Sequence, residues 1–184
     1  MGKEKIRCFI SLELPRKIIN EICKIQDFIK KKKLFEGKII ESENLHLTLK
    51  FLGEIDDKKV NDIKKRLNEI KFKGFEAELG KIGVFSKKFI RIIWIELLGK
   101  GVFELQKQID EKLKDLFEPE FRFMSHITIA RIKKVYNKKD FLEHLEKIKV
   151  PKLKFIVNKF YFKKSELFEI GPIYETISEI KQGI

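Results

Sequence analysis

The pattern of apolar and polar positions along this chain predicts strands and helices in a repeating order. Apolar residues at helical spacing mark an amphipathic helix over residues 15–33, and strict alternation marks a strand over residues 45–51. A loop rich in Gly, Glu, Ser and Asn separates them. Further strands are predicted at 6–12, 75–85, 90–98, 123–132, 153–162 and 173–180, and further helices at 56–70, 102–116 and 137–148.

The order strand, helix, strand, helix, strand occurs in each half of the chain. The middle strands carry the same motif, and an internal duplication accounts for the repeat. We therefore expect one compact domain over residues 1–184, with approximate halves 1–88 and 89–184. The predicted fold class is α+β with two pseudo-symmetric lobes. Each lobe is expected to be an antiparallel-type sheet with two helices, and the motif strands are expected to face a central cleft.

The repeated motif is His-apolar-Thr-apolar, at His46–Thr48 and again at His126–Thr128. The chain has three histidines and three threonines, and this motif uses two of each. Side chains two residues apart on a strand share a face, so each imidazole lies beside a hydroxyl while the apolar neighbours face the core. The remaining histidine, His144, is in a predicted helix and is expected at the surface.

Two opposed imidazoles suit phosphodiester hydrolysis, because a neutral one can accept a proton from water and a protonated one can donate to the leaving oxygen. The hydroxyls of Thr48 and Thr128 can bind the non-bridging phosphate oxygens. Either histidine alone would more often be a structural core residue, but the duplication favours a catalytic role for both. No carboxylate cluster accompanies them in the sequence, so we predict neither a metal nor another cofactor.

The net charge of +13 favours an anionic partner such as nucleic acid, although a Lys-rich surface that only aids solubility would give the same value. The two cysteines form no CxxC pair, and the first residues lack the apolar core of a signal peptide. We therefore expect a cytoplasmic monomer that does not enter a membrane.

Both motifs, with their flanking residues, resemble those of a known family. The segments HLTLKFLGEI and SHITIARIKK are similar to the paired motifs of the two-histidine (2H) phosphoesterases, and particularly of the RNA 2′,3′-cyclic phosphodiesterases, first described as 2′-5′ RNA ligases. The segments IRCFISLELP, RIIWIEL and GPIYETI fit the same branch. The resemblance implies that His46 is the proton donor, that His126 is the acceptor, and that the product ends in a 2′-phosphate. Many members have Pro where this chain has Ser125.

Three further residues are candidates for substrate binding. Arg131 and Phe51 each follow a motif histidine by five positions, so they occupy equivalent places. Arg131 could clamp a phosphate, and Phe51 could stack on a base or be an ordinary core residue. Strict alternation places both opposite the histidines, so a role in the cleft requires a bulge or a strand end. Phe9, on the first predicted strand, is a third candidate.

The predicted reaction is hydrolysis of a terminal 2′,3′-cyclic phosphate on RNA, and the resemblance makes tRNA a candidate substrate. Three alternatives remain at this stage. The chain could be a 2′-5′ RNA ligase that joins ends like those of tRNA halves. It could be a non-catalytic RNA-binding module, which would not need two imidazoles. It could also act on a small cyclic nucleotide or an ADP-ribose derivative, which the positive charge disfavours.

Overall fold

The computed structural model describes residues 5–169 and 171–183. Over these residues the chain forms four α-helices, a short 3₁₀ helix (Ser42–Asn44) and nine strands. The strands are β1 (Lys5–Glu13), β2 (Phe35–Ile39), β3 (His46–Asp56), β4 (Phe75–Val84), β5 (Ile92–Leu98), β6 (His126–Val135), β7 (Lys154–Val157), β8 (Lys159–Phe168) and β9 (Gly171–Lys181), and the helices are α1 (Arg16–Lys31), α2 (Asp57–Asn68), α3 (Lys100–Leu113) and α4 (Lys138–Glu146).

The strands pair antiparallel in the order β7-β4-β5-β6-β3-β1-β8-β9. β2 pairs with the later part of β6, residues 130–135, beyond the point where β3 pairs with it. This order is symmetric about the junction of β6 and β3, where Leu47 pairs with Ile127. We call β1, β3, β8 and β9 the His46 lobe, and β2, β4, β5, β6 and β7 the His126 lobe. The structure therefore confirms the predicted α+β fold with two lobes.

The two lobes exchange strands between the halves of the sequence. β4 follows the first motif in the chain but pairs with β5 of the His126 lobe, and β8 follows the second motif but pairs with β1. Each lobe is therefore completed by a strand from the other half of the sequence. The duplication itself stays a prediction.

Two predicted elements differ from the structure. The predicted loop before residue 45 contains β2, a strand hidden in the sequence because its central residues are polar or glycine. Gly37 permits it to approach β6 closely, since a Cβ there would lie 2.2 Å from the Arg131 carbonyl oxygen. The single strand predicted over 153–162 is two strands, and they pair with different lobes.

All four helices contribute to one apolar core that also includes Leu47, Leu49, Ile127 and Ile129 of the motif strands. The histidines and threonines alternate with these residues and so occupy the face turned away from the core. None of the described helices is long and apolar enough to span a membrane.

His144 is buried, so its predicted place at the surface was wrong. It shares the inner face of α4 with Phe141 and Leu145, which lie three residues before it and one after it. Its ring stacks on Phe28 of α1 with 4.8 Å between centroids, and its Nε2 lies 3.2 Å from the Phe28 carbonyl oxygen. The residue therefore joins two helices and has a structural role.

Candidate active site

The cleft lies where the two motif strands meet. Because Leu47 and Ile127 pair at the junction, the residues on either side of them project from the opposite face into a cavity of about 420 Å³. The structure brings all seven predicted site residues into the lining of this cavity, together with seven others. The lining consists of Arg7, Phe9, Ile40, Asn44, His46, Thr48, Phe51, His126, Thr128, Arg131, Ser165, Leu167, Pro172 and Tyr174.

The two imidazoles are held in the same way. Nδ1 of His46 lies 2.7 Å from the carbonyl oxygen of Asn44, and Nδ1 of His126 lies 2.7 Å from that of Met124. A carbonyl oxygen only accepts, so each Nδ1 carries a proton and donates it. Nε2 is therefore the nitrogen of each ring that can exchange a proton with a ligand. Nε2 of His46 is also 3.0 Å from the hydroxyl of Thr48.

His46 is enclosed by aromatic rings. Phe9 lies 5.1 Å from it and Tyr174 lies 5.2 Å from it, both measured between ring centroids. The pKa of the imidazole is lowered from its usual 6.5 to about 4. Burial is the largest cause, the charges of Lys163 and Arg131 act in the same direction, and the hydrogen bond to Asn44 opposes them. His46 is consequently neutral at pH 7 in the free protein.

His126 has a more open environment. Its main aromatic neighbour is Phe85, which meets the imidazole edge-on at 4.9 Å and is itself 52% exposed. The residue before it, Ser125, is buried and donates from its hydroxyl to the Leu97 carbonyl oxygen at 2.5 Å. This bond fastens the start of β6 to β5. Ser125 thus supplies a local constraint at the position where many members of the resembling family have proline.

A bulge in each motif strand turns Phe51 and Arg131 into the cleft. On β3 the neighbouring strand pairs with residues 48 and 50 in succession, so Leu49 is an extra residue. On β6 the pairing passes from residue 128 to residue 130, so Ile129 is extra. The next residue on each strand is buried as well, which reverses the alternation. The two bulges occupy equivalent places, and they are the irregularity that a position of Phe51 and Arg131 in the cleft requires.

Buried polar side chains hold both bulges. From α1, the amide nitrogen of Gln26 donates to the carbonyl oxygens of Ile129 and Ile40, at 2.9 and 2.8 Å. In the other lobe the ammonium of Lys50, directly after the bulge, donates to Asp110 of α3 at 2.5 Å. Helices from opposite halves of the sequence therefore fix the strands that present Arg131 and Phe51.

Sequence reasoning missed two residues with clear positions in the cleft. Arg7 places its guanidinium carbon 4.7 Å from the centre of the Phe51 ring. The residue could have been found from its place two positions before Phe9 on the same strand. Tyr174 belongs to the GPIYETI segment, but only the return of β9 to the His46 lobe reveals its contact with His46.

Two buried polar atoms lack a hydrogen-bond partner in the part of the chain that the structure describes, and they occupy equivalent positions. The Ser11 hydroxyl belongs to the residue paired with Thr48, and the Trp94 indole nitrogen to the residue paired with Thr128. Within the same described residues, no group of three or more His, Cys, Asp or Glu side chains is placed to hold a metal ion.

A family model described as LigT-like phosphoesterase matches residues 12–94 and 97–174 of this chain. The chain is 39% identical to the RNA 2′,3′-cyclic phosphodiesterase of Methanocaldococcus jannaschii over 178 residues, which cover 95% of this chain and 99% of that protein. It is 31% identical to the protein of the same name from Methanothermobacter thermautotrophicus, with 92% and 95% covered.

Solved structures show the same fold. Escherichia coli LigT in its apo form superimposes with a TM-score of 0.79 at 20% identity, over 98% of this chain and 99% of that chain. E. coli LigT complexed with 3′-AMP superimposes with a TM-score of 0.74 at 22% identity, over 98% and 100%. The two-lobed arrangement is therefore shared with experimentally determined structures.

Proposed function

Because this chain belongs to the LigT-like phosphoesterase family, we propose that it is an RNA 2′,3′-cyclic phosphodiesterase. The proposed reaction adds water to a terminal 2′,3′-cyclic phosphate, breaks the bond from phosphorus to the ribose 3′ oxygen and leaves a 2′-phosphate. The names of the archaeal relatives support the activity. The observation that carries it is the matched pair of imidazoles in one cleft, each with Nδ1 bonded to a backbone carbonyl and Nε2 left for proton transfer.

The two histidines have complementary roles in the proposed reaction. His126 accepts a proton from water at Nε2, and the resulting hydroxide attacks phosphorus. His46 donates a proton from Nε2 to the departing 3′ oxygen. The backbone bonds at Nδ1 fix the orientation of both rings, so neither has to be ordered during the reaction.

The other cleft residues bind the substrate in this proposal. Thr48 and Thr128 donate to the phosphate oxygens on which charge builds up, and the guanidinium of Arg131 neutralises that charge. Phe51, a residue that is 52% exposed, stacks on the terminal base. The substrate-binding role predicted for Phe9 stays a prediction. Its ring is only 3% exposed and packs against His46, so its contact is principally with the catalytic ring.

The low pKa of His46 has a consequence for its role as the acid. A general acid must carry the proton that it donates, and His46 in the free protein does not carry it at pH 7. An anionic phosphate beside the ring stabilises the imidazolium and offsets the charges of Lys163 and Arg131, so we infer that binding raises the pKa. His46 then gains its proton as the substrate enters.

This protonation can be followed by NMR titration of the His46 ring. In the free protein we expect its pKa near 4, below the usual value of 6.5. Saturation with a 2′-O-methylated dinucleotide, whose phosphodiester resists internal cleavage, should raise that value because the bound anion favours the charged ring. The His126→Gln variant, in which His46 is the one imidazole of the cleft, helps to assign the His46 signal. A His46 pKa that is unchanged or lower in the complex would contradict its role as the acid.

The remaining features of the proposal are the partner and the setting. We propose RNA with a 2′,3′-cyclic phosphate end as substrate, with tRNA as a candidate, and a monomer as the active form. The net charge of +13 supports a polyanionic partner. Cys8 and Cys23 are free thiols, which supports a reducing cytoplasm as the compartment.

The direct test uses an RNA oligonucleotide with a 2′,3′-cyclic end, incubated with the protein in EDTA. We expect hydrolysis to a 2′-phosphate at a rate independent of EDTA, because the imidazoles supply both proton transfers. Loss of activity in EDTA with recovery on adding a divalent ion would contradict the mechanism. A joined product formed with a 5′-hydroxyl RNA, in place of the hydrolysed end, would identify a ligase.

A further inference from the structure

The connection between β4 and β5 exposes two basic side chains flanked by two aromatic ones. Phe85 and Phe89 are 52% and 67% exposed, and the exposed Lys87 and Lys88 lie between them. Two large aromatic side chains exposed within five residues of each other are typical of a binding surface. Residues 85–89, which we call the 85–89 loop, are therefore a candidate interaction surface.

The loop has a defined conformation. The hydroxyl of Ser86 accepts hydrogen bonds from the backbone nitrogens of Lys88 and Phe89, at 3.2 and 3.1 Å. The ammonium of Lys138, at the start of α4, donates to the Lys88 carbonyl oxygen at 3.2 Å. The rings at the two ends of the loop are thus presented from a turn that is tied to α4.

One end of the loop reaches the catalytic centre. The Phe85 ring meets the His126 imidazole at 4.9 Å and also lies 5.9 Å from Trp94. A chain that leaves the cleft on the side of His126 would therefore pass over Phe85 before it reached Phe89. Lys87 also borders a groove of about 800 Å³ along β4, which leaves space for a chain beyond the loop.

The positive charge of the loop favours binding of a polyanion. The Lys88 ammonium lies 5.5 Å from the centre of the Phe89 ring, with Lys138 bonded to its backbone. Lys87 faces Glu146 at 3.4 Å, but both side chains are more than 60% exposed, so this pair holds the ammonium only weakly. Stacking rings interspersed with ammonium groups match the bases and phosphates of a single-stranded nucleic acid.

We propose that the 85–89 loop binds the RNA nucleotides that precede the cyclic end, with a base stacked on Phe89 and phosphates beside Lys87 and Lys88. The proposal rests on the function proposed above, because it takes the cyclic end to occupy the cleft. It predicts that the protein distinguishes an RNA chain from a cyclic mononucleotide through a surface that the mononucleotide does not reach.

The test compares the double variant Phe89→Ala/Lys88→Glu with a matched control, Phe103→Ala/Lys64→Glu. Phe103 and Lys64 are likewise exposed, but they lie on α3 and α2, on the side of the sheet opposite the histidines. Phe85 is left intact because it contacts His126. Binding of a fluorescent pentaribonucleotide with a 3′ phosphate is measured by anisotropy at several salt concentrations, and hydrolysis is measured on a cyclic-ended pentamer and on adenosine 2′,3′-cyclic phosphate.

We expect the loop variant to bind the pentamer roughly tenfold or more weakly, with a flatter salt dependence, because it loses a stacking ring and a phosphate contact. Its kcat/KM on the cyclic pentamer should fall by a similar factor, while its kcat/KM on the cyclic mononucleotide stays within about twofold of that of the unmodified protein. The control variant should have kcat/KM values within about twofold of those of the unmodified protein on both substrates. Unchanged pentamer binding, or an equal loss on both substrates, would overturn the proposal. If the unmodified protein binds the pentamer but hydrolyses neither substrate, the proposed function fails, and the binding comparison still decides the role of the loop.

Discussion

Replacing either His46 or His126 with alanine should lower the turnover of cyclic phosphate ends by roughly 100-fold or more, because general acid and base steps each contribute about 10²–10⁴. The double variant should lose far less than the product of the two single losses, since donor and acceptor act in one displacement. Steady-state kinetics on a cyclic-ended oligonucleotide provide the measurement.

Two comparisons separate a chemical loss from a structural one. His46→Gln and His126→Gln keep a polar side chain in the cleft, so they should unfold near the unmodified temperature while remaining equally inactive. Thr48→Val and Thr128→Val should have smaller effects that fall partly on KM, because each removes one hydrogen bond to a charged oxygen. Full activity in either histidine variant would remove that residue from the mechanism.

The largest effect on stability is expected for Asp110→Leu. The carboxylate is buried and accepts from Lys50 at 2.5 Å, from Gln106 at 2.7 Å and from the backbone nitrogen of Glu120 at 2.9 Å. Its removal leaves the Lys50 ammonium buried with only the Glu118 carbonyl oxygen as acceptor. We expect the free energy of unfolding to fall by about 3–5 kcal/mol, the usual cost of an uncompensated buried charge. Denaturant titration gives the value.

Removing both charges tests this explanation. Lys50→Met/Asp110→Leu should be more stable than Asp110→Leu alone, because no unpaired ammonium remains in the core. Lys50→Met alone should cost less than Asp110→Leu, since Asp110 keeps its bonds to Gln106 and Glu120. If the double variant is less stable than Asp110→Leu, the loss of unfolding free energy in Asp110→Leu arises from lost packing and not from the unpaired Lys50 ammonium.

Much of the fold could be predicted because its elements carry local signals. Asp and Asn are favoured at helix starts, and the side chains of Asp56 and Asn137 each accept a backbone hydrogen bond there, from Lys59 and Asp140. The motif strands could be recognised because alternation predicts which side chains share a face. β2 and the exchange of strands could not be predicted, because edge strands with polar centres lack alternation and pairing partners leave no local trace.

The candidate site shows the same division. The co-location of the two motifs in one cleft followed from the repeat, and the need for a bulge before Phe51 and Arg131 followed from counting along the strand. The position of each bulge depends on buried contacts such as Gln26 with Ile129, which join residues 103 positions apart. His144 was misplaced because the amphipathic pattern of α4 identifies the buried face only once Phe28 is known to lie against it.

The exchange of strands also fixes when the candidate site can form as the chain leaves the ribosome. Every strand of the His126 lobe has been synthesised once residue 157 has emerged. The His46 lobe then still presents β1 with one edge open. Only β8 and β9, which follow β7 in the chain, close that edge and bring Tyr174 to His46. A nascent chain therefore completes the lobe that it began first only after it has completed the other lobe. A chain that stops before residue 159 retains both His-Thr motifs but has only one complete wall of the cleft.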